Sequence, residues 1–129
     1  MFRMIAAALL VLVFTGPAWA LEKEPYSAER FSELQAQDAV VLIDVYAQWC
    51  ATCKLQQRAL TKYRDQHPDK AFHILEVDFD EDKDVVQAFR APRQSTLLLY
   101  RGDTQFWFSV AESRYDLIAA ELDKAFTAQ

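Results

Sequence analysis

The run Val40-Val41-Leu42-Ile43-Asp44-Val45-Tyr46 places the strongest constraint on how this chain can fold. A nearly continuous apolar, β-branched segment has no polar face to offer water, so it belongs in the middle of a sheet covered on both sides, as parallel sheets are. Trp49 and Cys50 follow almost directly, and a helix is expected from about 51 to 66. It ends at His67-Pro68, because the residue before proline is pushed out of the helical region.

The flanking segments fit the same layered plan. Glu22–Tyr26 reads as a short strand that Pro25 confines to an edge. Ser27 can cap a helix over about 28–37, with Phe31 and Leu34 facing inward. A second buried strand is expected over 71–78, a short helix over 82–90 and a third strand over 96–100. Arg101-Gly102-Asp103 makes a tight turn into a returning strand over 104–110, and Ser113 opens a closing helix to about 127. Strands alternating with helices, then a hairpin and a last helix, predict an α/β domain with a central mixed sheet flanked by helices.

The first twenty residues are of another kind. Arg3 gives a short positive start, Ile5–Phe14 is uncharged and almost wholly apolar, and Gly16-Pro17 breaks any helix. Ala18-Trp19-Ala20 then supplies small residues where a signal peptidase needs them. The apolar run is well short of the ~20 residues that span a bilayer. Residues 1–20 are therefore expected to be a secretory signal and residues 21–129 the domain, periplasmic or otherwise extracytoplasmic; an uncleaved signal makes the protein membrane-anchored.

Without Arg3, 13 basic residues face 19 acidic ones, a net charge of −6. That balance argues against a nucleic-acid surface, which would need a basic face. Cys50 and Cys53 are the only cysteines. As a staple they are poorly placed, since a disulfide stabilises mainly by closing a long loop of the unfolded chain and this loop is very short. Their spacing points to reactivity.

A Cys-x-x-Cys that follows a buried strand and opens a helix is the setting of a redox site. The stretch from Val41 through Asp44, Trp49, Cys50-Ala51-Thr52-Cys53 and Lys54 resembles the active-site segment of the thioredoxin family almost position for position. Val77–Asp80 and the strand Thr96–Tyr100 extend the resemblance over residues 22–127. It implies the thioredoxin fold and a thiol–disulfide oxidoreductase whose Cys50 and Cys53 form the redox-active disulfide. Cys50, at a helix amino end that favours an anion, is the expected nucleophile. Cys53, one turn in, is the expected resolving thiol.

The resemblance makes Asp44 the proton acceptor for Cys53. Its position agrees, because a carboxylate buried in an apolar strand should hold its proton to higher pH than usual. Lys54 either adds positive potential or is a solvated helix residue. Trp49 either shields the sulfurs or is a core aromatic. Two positions depart from the family pattern. Glu76 stands where thioredoxins commonly place a lysine near the buried acid; it either shares that poorly solvated region or snorkels outward. Ser95, in the substrate-binding loop Gln94-Ser95-Thr96, stands where the family has a cis-proline. A cis bond without proline costs ~3 kcal/mol, so Ser95 is either strained-cis or trans.

Two other classes of function fit parts of the sequence. Cys50, Cys53, His67 and His73 fit a loose zinc-ligand spacing, but Pro68 breaks the helix that should carry both histidines. No structural metal and no organic cofactor are expected, although a transient copper or iron carrier could use the Cys pair. Phe106-Trp107-Phe108 could be the docking patch of a non-catalytic module, though strand aromatics are more often core. The preferred reading is an exported oxidoreductase, a monomer acting on disulfide-bearing exported proteins. No histidine lies between the cysteines to stabilise the thiolate further, which favours the reductase direction and implies a membrane thiol electron donor.

Overall fold

The computed structural model describes residues 22–128. The elements run β1 (Glu24–Pro25), α1 (Ala28–Ala36), β2 (Val40–Tyr46), α2 (Ala51–Gln66), β3 (His73–Asp78), α3 (Lys83–Ala88), β4 (Thr96–Arg101), β5 (Thr104–Val110) and α4 (Tyr115–Thr127). The order matches the sequence reading. One five-stranded sheet has the spatial order β1-β3-β2-β4-β5, parallel through β1, β3 and β2 and antiparallel through β4 and β5. This is the thioredoxin fold.

β2 sits at the centre, and its pleat divides the core in two. Val40, Leu42 and Asp44 point to the layer of α2 and α4, where Leu60, Tyr63, Ile118 and Leu122 close over them. Val41, Ile43 and Val45 point to α1 and α3, meeting Leu34 and Val86. From Val40 to Val45 every apolar side chain is thus buried, and each contributes about 1.5–3 kcal/mol relative to exposure. Asp44 is the one polar side chain in that series.

Boundaries shift for identifiable reasons. Ser27 caps α1 as expected, its Oγ accepting the Arg30 N–H at 3.0 Å. Ser113 does not cap α4. The N-cap is Arg114, and the carboxylate of Glu112 accepts its backbone N–H at 2.9 Å. β3 starts at His73 rather than at 71. α3 is shorter than predicted, since Arg90 beyond its end takes a positive φ of 54°. Gly102 turns the β4–β5 hairpin at φ 52°, and a Cβ there would meet Asp38 Oδ1 at 3.0 Å. Phe106 and Trp107 both pack against the α2–α4 core, because an irregularity beside Leu99 and Tyr100 breaks the strict alternation. Phe108 is exposed. The expected signal segment, residues 1–20, lies outside the described residues, among which no helix is long and apolar enough to cross a membrane.

Candidate active site

β2 delivers the chain directly to the start of α2, and Cys50 is the N-cap of that helix, in extended conformation. Its side chain does the capping. The Cys53 N–H donates to Cys50 Sγ at 3.0 Å, so a sulfur answers one of the backbone donors that helix starts leave unpaired. The two cysteines are bonded to each other, with Cα atoms 5.3 Å apart. Both sulfur-bearing residues are buried, Cys50 at 3 % exposure and Cys53 at 0 %. Ala47, Tyr46 and Phe79 form the apolar surround. In the reduced state the same N–H and the helix dipole favour a thiolate at Cys50.

Trp49 is not a core aromatic. It is 61 % exposed, and its indole N–H donates to Asp80 Oδ2 at 2.8 Å, which pins the ring to the β3–α3 turn. Tyr46 and Phe79 pack against the buried sulfurs from the apolar side. Lys54 is exposed and makes no ion pair within 4.0 Å among the described residues.

Asp44 is fully buried rather than reaching solvent at a strand end. Gln57 Nε2 donates to its Oδ2 at 2.7 Å, while Oδ1 has no hydrogen-bond partner. Burial pushes its carboxyl up to about 6, with the Lys23 ammonium and the Gln57 amide pulling the other way and Glu76 adding to the rise. Gln57 and Cys53 are four residues apart and share one face of α2. The acid and the resolving thiol therefore lie in the same interlayer space. Glu76 pairs with Asp44 across the β2–β3 ladder, points to the same face, and is partly exposed.

The loop before β4 is held by hydrogen bonds in place of a proline. Ser95 is buried, with φ 62°, and no cis peptide occurs among the described residues. Its N–H donates to the Val45 carbonyl at 2.8 Å, and its own carbonyl accepts from Ala111 N–H at 2.9 Å and Gln56 Nε2 at 3.0 Å. The Gln56 amide also donates to the Glu112 carbonyl at 2.9 Å. A fully buried glutamine one turn beyond Cys53 thus ties α2 to two loops. Thr96 is buried beside it, its hydroxyl donating to the Arg93 carbonyl at 2.6 Å, and Gln94 is half-buried. A Ser95→Pro variant should lose about 3 kcal/mol in urea unfolding, since proline cannot take this φ and removes the bond to Val45. Unchanged stability would mean that the loop can rearrange around the ring.

Cys50, Cys53, Asp44 and the 94–96 loop are brought together. His67 and His73 are not part of the group. His67 caps the far end of α2, about 24 Å along a sixteen-residue helix, with Nδ1 against the Tyr63 carbonyl. His73 lies beside Glu24. Gln56, Gln57 and Lys23 were missed from sequence. The glutamines had a readable signal: Cys53, Gln56, Gln57 and Leu60 follow the i, i+3, i+4, i+7 pattern of a buried stripe, with amides where apolar residues are expected.

The family model described as Thioredoxin matches residues 22–124. Thioredoxin-1 of Saccharomyces cerevisiae is 37 % identical over 75 residues, 58 % of this chain and 71 % of that protein. The crystal structure of Trxlp from Edwardsiella tarda EIB202 is similar at 40 % identity and a TM-score of 0.71, covering 78 % of this chain and 98 % of the other. The thioredoxin of Trypanosoma brucei brucei, at 19 % identity, TM-score 0.66 and coverages of 86 % and 96 %, shares the fold.

Proposed function

This chain belongs to the thioredoxin family and is a thiol–disulfide oxidoreductase, and we propose that it works outside the cytoplasm as an electron-fed reductase of disulfide-bearing exported proteins. The observation that carries the reaction is the sulfur-capped helix start, with Cys50 Sγ accepting the Cys53 N–H.

From the dithiol state, the Cys50 thiolate attacks one sulfur of the partner's disulfide. The partner's S–S bond breaks, an S–S bond to Cys50 forms, and the departing partner sulfur takes a proton from solvent. Asp44 then accepts the Cys53 proton, and the Cys53 thiolate attacks Cys50 Sγ. The bond to the partner breaks and its second sulfur leaves, taking up a proton in turn. The partner gains two electrons and this chain ends as the Cys50–Cys53 disulfide. Trp49 and the Gln94–Thr96 loop border this site and would meet the partner. Ser95 offers less than an unengaged loop residue, since its N–H and carbonyl are already bonded within the fold.

Export is supported by the charge and hydropathy pattern of residues 1–20, with 21–129 as the released domain. An oxidising compartment requires a renewed supply of electrons, which assigns the chain a membrane thiol donor. The reductase direction is supported by Ala51 and Thr52 between the cysteines, neither of which adds positive charge to the thiolate. Trapping thiols in fractionated cells, and equilibrating pure protein against glutathione buffers, tests both points. The expected result is an extracytoplasmic protein with a reduced pair and a potential near about −270 mV. An oxidised pair with a potential towards about −120 mV would make it a disulfide donor.

A further inference from the structure

Asp44 and Glu76 face each other on adjacent strands, pointing into the same layer. Two carboxylates so placed repel, and burial of the first adds to the penalty. The structure sets a cation beside both. Lys23 Nζ pairs with Glu76 Oε2, lies 3.9 Å from Asp44 Oδ2, and sits 4.1 Å from the centre of the Tyr46 ring. Its side chain is only 22 % exposed, so the interaction with Asp44 is poorly screened.

Lys23 reaches that place through the short edge strand. β1 pairs in parallel with β3, Glu24 opposite Leu75 and Pro25 opposite Glu76, and Tyr26 N–H donates to the Glu76 carbonyl at 2.9 Å. In that register the residue before β1 falls level with Ile74, on the same face as Pro25 and Glu76, and its long side chain reaches Glu76 along a cleft lined in part by Lys23, Glu76, Asp78 and Asp82. The groups around Asp44 are then accounted for by element. The segment before β1 contributes Lys23, β3 contributes Glu76, α2 contributes the neutral Gln57, one turn beyond Cys53, and β4 contributes the apolar Leu97 at the paired position.

We propose that Lys23 is a positioning residue for disulfide exchange: held by Glu76 and the Tyr46 ring, it stabilises the ionised form of Asp44 and so sets the pH above which Cys53 can be deprotonated. The proposal rests on the oxidoreductase reading and on Asp44 as acceptor. It assigns to the amino-terminal segment a function beyond completing the sheet.

The test is a carboxyl-carbon NMR titration of Asp44 in the oxidised protein and in Lys23→Met, Lys23→Gln and Lys23→Arg variants, with stopped-flow exchange and thermal unfolding on the same samples. Losing the nearby cation should move the Asp44 midpoint upward by roughly tenfold in proton concentration. At pH 6 that lowers the ionised fraction, and with it the resolving rate, by about fivefold. Lys23→Arg, which keeps the charge, should stay near the native midpoint. A midpoint unmoved in both neutral variants, with or without a lower melting temperature, overturns the proposal and leaves Lys23 as an anchor for β1. The titration needs no turnover, so a protein that failed to exchange disulfides at all would sink the oxidoreductase reading separately.

Discussion

A Cys53→Ser variant will stop turning over and will accumulate a stable mixed disulfide between Cys50 and its partner protein. The asymmetry of the pair dictates this outcome. Cys50 occupies the cap position, where the Cys53 backbone N–H donates to its sulfur, and its attack on a disulfide needs nothing from the Cys53 thiol. Release does need Cys53, because the second S–S exchange has no other thiol in the chain to perform it. Serine at 53 keeps the fold and the cap geometry but cannot attack sulfur. Turnover should fall to background while a band of higher mass, sensitive to reductant, appears on non-reducing gels. Cys50→Ser should lose both turnover and the band. If Cys53→Ser gave no covalent species and Cys50→Ser did, the roles would be reversed. The trapped partners would also identify the substrates, and finding them among exported proteins would bear directly on the site of action.

How much of this was legible beforehand differs from element to element. α2 runs over the predicted residues because both of its ends are local events, a capping sulfur at Cys50 and a proline at 68. β2 was equally plain, since only a doubly covered strand tolerates Val40–Val45. The Ser113 cap failed because the chain enters the helix one residue later: Arg114 is the N-cap, and its N–H is taken by the Glu112 carboxylate. For Trp49 only the core-aromatic alternative falls, and for a different reason. Its exposure depends on Asp80, thirty-one residues away, and no local pattern encodes that contact. Lys23 lay furthest from view. Its place beside Asp44 follows from the register of a two-residue strand against β3, and so short a strand carries no periodicity to read.

Replacing Asp44 with asparagine should make the protein more stable and the exchange slower, and that opposition of sign is the signature of a buried proton acceptor. Burial holds the folded carboxyl at about 6, against an ordinary value of 3.8. Between those pH values the folded chain keeps a proton that the unfolded chain has lost. The favourable contribution is therefore complete below about pH 4 and is lost as pH rises through about 6. The difference corresponds to about 3 kcal/mol, which the native protein forgoes at neutral pH by carrying an ionised Asp44. Asparagine carries no such charge, and its carbonyl can still accept from Gln57. In urea unfolding, the two proteins should agree near pH 4, with the variant ahead by up to about 3 kcal/mol near pH 7.5. Disulfide exchange at neutral pH should fall by about a hundredfold, the usual worth of a placed general base. Parallel stability curves would mean that Asp44 ionises as freely as a surface acid, and an undiminished rate would mean that Cys53 gives its proton to solvent instead. A residue kept only for packing would not lose activity while stability rose. A gain in stability alone would leave Asp44 without a part in the chemistry, and a loss of both would show that its hydrogen bond to Gln57 outweighs the cost of burying its charge.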